Sequence, residues 1–176
     1  MVKMMSRKVL VVGSGISGVA ATELLKKQGD EVILFDGNPK LDVQALREKH
    51  PVFKDVEVIL GELPEEKMSA FDLIVLSPGV PTDIPMVCAL REKHIPIWGE
   101  IELAYQCAKG SVIAITGTNG KTTTTALVGQ IMENYFSDVK VVGNIGIPYT
   151  SVAAETTEET VTVAEISSFQ LETIHE

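Results

Sequence analysis

The sequence predicts an α/β protein, with a Rossmann-like parallel-sheet domain followed by the first part of a P-loop-type α/β ATPase domain. Short apolar runs alternate with segments whose apolar residues recur at helical spacing, the pattern of parallel strands joined by helical crossovers. A glycine loop, GSGISG from Gly13 to Gly18, follows the first apolar run and opens a helix. The same strand, glycine turn and helix begin again at Ser111 with SVIAITGTNGKTTTT, and a new phosphate-type turn begins a new domain. The expected domains are 1–99 and 100–176.

Each element has its own signal. From Lys8, KVLVV is an apolar run of strand length, and the helix GVAATELLKKQG that follows the loop stops at Gly29. EVILFD, Glu31 to Asp36, is the second strand, and LDVQALREKH is a helix broken by Pro51. VEVIL and DLIVLS are strands bounded by turn residues, IPMVCALREKH is a helix and IPIWG a strand. GEIELAYQCAKG reads as an amphipathic connecting helix. In the second half SVIAIT is expected as a buried strand, VKVVG and TVTVAEI as two more, and AAETTEET as an exposed loop.

With 176 residues, 45% of them hydrophobic, the chain has enough apolar material for packed cores and too little charge bias for disorder. A formal net charge of −9 excludes an extended nucleic-acid surface, which relies on clustered Lys and Arg that release counterions. Phosphate ligands stay open, because screening over about 8 Å lets a few backbone N–H groups and one lysine dominate locally. Cys88 and Cys107 lack metal or redox spacing and are expected as buried free thiols. The opening MVKMMSRKVLVVG has too short an apolar run for a secretory leader, and no stretch reaches the ~18 apolar residues of a membrane span. A cytoplasmic location without a membrane partner is expected.

Gly13, Gly15 and Gly18 fit G-x-G-x-x-G, with Asp36 at a strand end about 20 residues on. The first glycine serves a tight turn, the second a close approach to a diphosphate and the third helix-to-strand packing, while the helix start offers free N–H groups and a positive dipole end. Alone, the loop fits a dinucleotide, another nucleotide ligand or packing, and Asp36 fits a ribose contact or a turn cap.

Gly117 to Thr123, GTNGKTT, carries the G-K-T triplet of a P-loop at a helix start. Only Thr118 and Asn119 separate Gly117 from Gly120, so it is a shortened variant. Its chemistry survives: successive N–H groups make an anion nest, Lys121 can neutralise β- and γ-phosphate oxygens, and the Thr122 hydroxyl can hold Mg²⁺. The run Thr122 to Thr125 is poor helix material, a local cost that points to function.

GTNGKTT, then GNIG at Gly143 to Gly146, then EISSFQLE at Glu165 to Glu172 occur in an order that resembles the Mur ligase family. EISSFQLE is similar to the D-glutamate-adding branch, and GSGISG with Ser77-Pro78-Gly79 fits that branch's nucleotide-sugar domain, so the resemblance spans essentially the whole chain. It implies an ATP-dependent amide ligase of peptidoglycan synthesis, monomeric at full length, whose substrates are UDP-N-acetylmuramoyl-L-alanine, D-glutamate and ATP, with Mg²⁺. The substrate carboxylate would take the γ-phosphoryl group, and the amine of D-glutamate would attack the acyl phosphate.

By the resemblance, Lys121 and Glu165 are catalytic, and Gly117, Thr118, Asn119, Gly120, Lys121, Thr122 and Thr123 bind ATP. Thr122 and Glu165 hold the metal. Gly15, Ile16 and Ser17 cradle the diphosphate, Asp36, Ser77 and Gly79 line the uridine site, and Asn144 faces the muramoyl-alanine end or is a turn residue in a left-handed conformation. Ser167, Ser168 and Gln170 shape the site wall, with Phe169 and Leu171 in the core. Some relatives carry Arg after the strand-end acid, where this chain has Gly37 and Asn38. The family's second-metal histidine and modified lysine, and its third domain, are expected beyond Glu176, so the chain is expected to be inactive alone. His50, His94 and His175 are expected at the surface.

Three other readings compete. Another Mur or folylpolyglutamate-type ligase would share the ATP loop. A NAD-dependent oxidoreductase would leave GTNGKTT and EISSFQLE without a role, and a nucleotide-binding module would bind without turnover.

Overall fold

The computed structural model describes residues 6–144 and 146–175; the first residues of the stretch read for a leader, and Ile145 of the GNIG run, lie outside them. The chain forms two compact units, Met1–Trp98 and Gly99–Glu176.

The first unit is built on a five-stranded sheet of order β3-β2-β1-β4-β5. Its strands are β1 (Lys8–Val12), β2 (Glu31–Asp36), β3 (Glu57–Leu60), β4 (Leu73–Leu76) and β5 (Ile97–Gly99), connected by α1 (Ile16–Gln28), α2 (Val43–Lys49), α3 (Glu65–Met68) and α4 (Pro85–Glu92). β1 pairs in parallel with β2 and β4. Side chains alternate across a strand. Leu10, Val12, Ile33 and Phe35 therefore enter one core with Phe71, Ile74, Val87 and Leu90, while Val9, Val11, Val32 and Leu34 are buried on the other face. With both faces covered, the strands read as unbroken apolar runs. α1 packs on β1 and β2 and ends at Gly29, whose φ of 90° is the left-handed cap that glycine favours.

The second unit holds α5 (Glu100–Cys107), β6 (Ser111–Ile115), α6 (Lys121–Glu133), β7 (Val139–Gly143), α7 (Tyr149–Val152), β8 (Val161–Glu165) and α8 (Ser168–Leu171), with a parallel sheet of order β6-β8-β7. Centrally placed β8 is buried throughout. β6 is not the buried strand expected: it lies at an edge, with Ser111 and Ala114 exposed, because among the described residues only β8 pairs with it.

AAETTEET is likewise not simply an exposed loop. Ala153–Glu155 forms a 3-10 turn, and Thr156 and Thr160 are buried because their hydroxyls serve the backbone: Thr156 Oγ1 accepts from Lys109 N at 2.8 Å and donates to Ala153 O at 2.8 Å, and Thr160 Oγ1 accepts from Thr157 N at 2.8 Å. Cys88 and Cys107 form no disulfide and are only half-buried, and so is His50, which meets Phe53 edge-on. Among the described residues no helix is long and apolar enough to cross a membrane.

Candidate functional sites

In the first unit, β2, β1 and β4 are neighbours and deliver their carboxyl ends to one rim, where Asp36, the glycine loop and Ser77 stand. The strand order reverses between β1 and β4, the switch point at which open α/β sheets bind ligands. Gly13, at φ 100°, donates its N–H to Phe35 O at 2.8 Å, and the Ser77 N–H reaches Val12 O at 3.0 Å. A Cβ on Gly18 would lie 1.9 Å from Gly13 O, whereas one on Gly15 would meet nothing within 4 Å. Gly15 is the N-cap of α1 and makes no side-chain cap, so it, exposed Ile16 and half-buried Ser17 present an open helix start. Gly79 is exposed.

Asp36 serves the loop itself. Its Oδ2 accepts from Ser14 N at 3.0 Å and Ser14 Oγ at 2.5 Å, and its Oδ1 from Asn38 N at 2.9 Å. Partial burial pushes this carboxyl up, but the bonds from the Ser14 hydroxyl, Asn38 N–H and Ser14 N–H prevail and hold it below its ordinary value. Beside it lies a cavity of about 630 Å³ lined by Phe35, Gly37, Leu63, Met68, Ile84 and Met86. Asn38 supplies the turn with a backbone donor.

In the second unit, the register sets Glu165 between Ile115 of β6 and Gly143 of β7. GTNGKTT leaves β6 two residues after Ile115, and GNIG begins at Gly143, so three motifs converge on the carboxyl end of one three-stranded sheet. Gly117 and Gly120 have φ of 146° and 75°, and left-handed Gly120 is the N-cap of α6, with no side-chain cap. That turn leaves the first N–H groups of a 13-residue helix facing outward. Lys121 Nζ donates to Gly117 O at 2.8 Å, spanning the loop. Thr118, Asn119, Thr122 and Thr123 are exposed; Thr125 turns inward and is 4% exposed.

Glu165 is 2% exposed rather than a strand-end carboxylate in solvent. Its carbonyl accepts from Asn144 N at 2.9 Å, its Oε1 accepts from Asn144 Nδ2 at 3.4 Å, and its Oε2 is buried with no protein partner. Such an oxygen is costly unless something else meets it. Asn144 is not left-handed: among the described residues, His94 is the one non-glycine at positive φ.

Ser167 and Gln170 form a capping box, Ser167 Oγ accepting from Gln170 N and Gln170 Oε1 from Ser167 N; S-x-x-Q was its signal in the sequence. Gln170 is buried, so in this single turn Phe169 and Leu171 point away and are 72% and 44% exposed, contrary to the expected core placement. Composition and spacing gave no notice of Ser14 as the loop's tie to Asp36, nor of the buried Glu100 and Glu102 in what reads as an amphipathic connecting helix.

The family model for the Mur ligase MurD-like N-terminal domain matches residues 7–99, and that for the Mur ligase middle domain matches residues 115–176. The chain is 57% identical over 171 residues to the UDP-N-acetylmuramoylalanine–D-glutamate ligase of Lachnospira eligens, covering 97% of this chain and 38% of that enzyme. It is 53% identical to the ligase of the same name from Lachnoclostridium phytofermentans, over 97% of this chain and 37% of that one. The chain thus spans little more than a third of these relatives. Among solved structures, UDP-N-acetylmuramate–alanine ligase from Thermotoga maritima superposes with a TM-score of 0.51 at 22% identity, over 92% of this chain and 37% of that one. A murein peptide ligase from Psychrobacter arcticus gives 0.52 at 16% identity, over 93% and 39%. These two likenesses speak for the fold.

Proposed function

Because the chain belongs to the Mur ligase family, we propose that it carries the nucleotide-sugar-binding unit and part of the ATP-binding unit of a ligase that joins D-glutamate to UDP-N-acetylmuramoyl-L-alanine in peptidoglycan synthesis. The observation that carries this reading is buried Glu165, held through Oε1 by Asn144, with Oε2 unpartnered beside the strand that feeds GTNGKTT.

In the proposed reaction a carboxylate oxygen of the UDP-sugar substrate attacks the γ-phosphorus of ATP, and the bond to the bridging oxygen of the departing ADP breaks. The amine of D-glutamate then attacks the acyl carbon, phosphate leaves, and the nitrogen gives up a proton as the amide forms. Phosphoryl transfer needs positioning and charge neutralisation more than a side-chain nucleophile. Gly117, Thr118, Asn119, Gly120 and Thr123 line the nest for the ATP phosphates, and Lys121 exchanges its contact with Gly117 O for phosphate oxygens.

The Thr122 hydroxyl and Glu165 Oε2 are hard oxygen donors suited to Mg²⁺, which when bound would neutralise charge on the transferring phosphoryl group. Among the described residues no three His, Cys, Asp or Glu cluster as a metal site, so these two residues would supply only part of the shell. At the first site Gly15, Ile16 and Ser17 receive the diphosphate and Asp36, Ser77 and Gly79 border the uridine; in the second unit Asn144 is the residue assigned to the muramoyl-alanine end. A cytoplasmic location and a monomeric full-length enzyme go with this function.

Calorimetric titration with UDP-N-acetylmuramoyl-L-alanine, with NADH in parallel, tests the reading. Saturable binding of the UDP-sugar alone is expected; binding of NADH without the UDP-sugar would replace the ligase reading with a dinucleotide enzyme.

A further inference from the structure

Two carboxylates without a part in the proposed chemistry are buried in α5, Glu100 at 3% exposure and Glu102 at 1%. Burying an ionisable group is unfavourable unless its oxygens are met. Glu100 Oε1 accepts from Thr150 N at 2.6 Å and from Thr150 Oγ1 at 2.7 Å. Thr150 stands in the first turn of α7, immediately behind the turn that Gly143 N closes onto Ile147 O at 3.0 Å, and that turn contains Asn144.

Glu102 reaches the other motif. Its Oε2 accepts from His175 N at 3.0 Å, and its Oε1 from Gln106 Nε2 at 2.9 Å. His175 lies just beyond α8, in the segment that follows Glu165 and Ser167. At the start of α5, the Gly99 N–H faces Thr173 O at 3.5 Å, and a Cβ there would lie 2.1 Å from Thr173 Oγ1. An apolar residue in place of either glutamate could fill the space but could not accept from these N–H groups, which lie outside any strand ladder and would be left unmet.

We propose that Glu100 and Glu102 are positioning residues, by which α5 grips the segments behind the GNIG and EISSFQLE motifs and presets Asn144 against Glu165. The purpose rests on the ligase reading; the geometry does not. Both Thr150 donors converge on one oxygen, so the carbonyl of a glutamine can replace it and a methyl group cannot.

Amide hydrogen exchange by NMR on the whole chain tests this without any ligand. In Glu100→Ala, the amides of Gly143 and Asn144 are expected to exchange about tenfold faster or more, the scale of losing two buried hydrogen bonds, while amides of β1 and β4 keep their rates. Glu100→Gln is expected to restore slow exchange. Glu102→Ala is expected to speed exchange at Thr173 and Ser167 and to leave Asn144 slow. Unchanged exchange at Asn144 in Glu100→Ala, or equal acceleration throughout the second unit in both Glu100 variants, overturns the proposal. Should Glu100→Ala fail to fold, Thr150→Val removes one donor: faster exchange at Asn144 supports the clamp and an unchanged rate overturns it. Line broadening by Mn²⁺ near Glu165 reports separately on the ligase reading, so its absence counts against that reading while exchange decides the clamp.

Discussion

Asn144 holds Glu165 twice, through its backbone N–H to the Glu165 carbonyl at 2.9 Å and through its side-chain amide to Oε1 at 3.4 Å. The pair ties the end of β7 to the end of β8 and leaves Glu165 Oε2 buried without a protein partner. Since a buried oxygen without a partner is unfavourable by about 1–3 kcal/mol, Glu165→Gln is expected to make the unliganded chain more stable by about 1 kcal/mol while abolishing Mn²⁺ binding. Urea unfolding and Mn²⁺ titration on the same variant check this. A variant that is less stable and still binds metal would show that Oε2 is already satisfied.

Asn144→Asp places a second carboxylate against the first, and like charges at hydrogen-bond distance disfavour each other. The unliganded variant is expected to melt lower than the parent, with the deficit shrinking on addition of millimolar Mn²⁺. A thermal scan with and without metal reads both effects. If Mn²⁺ shifts parent and variant equally, Asn144 and Glu165 do not face a common cation.

How far these relationships could be read beforehand depends on range. Strands and helices around Gly13 and Gly117 follow from local patterns, because apolar periodicity and glycine turns act over a few residues. The convergence of GTNGKTT, GNIG and EISSFQLE depends on the order β6-β8-β7, a long-range property that no spacing encodes. Glu100 and Glu102 look like solvent residues of an amphipathic helix, since the donors that bury them, Thr150 and His175, lie 50 and 73 residues away. Phe169 misled in the opposite direction: its type suggests a core, but the capping box of Ser167 and Gln170 turns that one helical turn outward.

The two loops differ in what a substitution does. Gly18→Ala drives a methyl group to 1.9 Å from Gly13 O, a clash with backbone that cannot swing aside, and is expected to destabilise the first unit by about 3 kcal/mol or more. At Gly15 the backbone has φ −71° and the space is open, so Gly15→Ala should fold at a loss of under about 1 kcal/mol. UDP-sugar affinity should nevertheless fall in Gly15→Ala, because the added methyl lies where the diphosphate would approach. Equal binding by Gly15→Ala and parent in calorimetry would remove Gly15 from the site.

Lys121 spans its own loop by a bond in an exposed setting, so its removal should change stability by less than about 0.5 kcal/mol. Lys121→Met is expected to lose ATP binding at unchanged Tm. A large fall in Tm would instead make the Lys121–Gly117 contact a structural brace.

Glu100 and Asp36 carry opposite pH signatures. Burial pushes the Glu100 carboxyl up, against the lowering bonds from the Thr150 N–H, its hydroxyl and the Tyr149 N–H, and burial prevails. A raised folded pKa means that its contribution is fully present below its ordinary value of 4.5 and is lost as pH rises through the folded value. Asp36 is held below its ordinary value of 3.8, so its contribution is present above that value and is lost as pH falls through the folded one. Glu100→Gln should therefore gain stability relative to the parent as pH rises from about 4.5 towards 7, whereas Asp36→Asn should lose least at the acid end, near pH 3. Unfolding free energies measured by urea at several pH values give both slopes. A difference between Glu100→Gln and parent that stays constant across the range would mean that Glu100 ionises in the fold as freely as in the unfolded chain, and that its hydrogen bonds to Thr150 offset its burial in full.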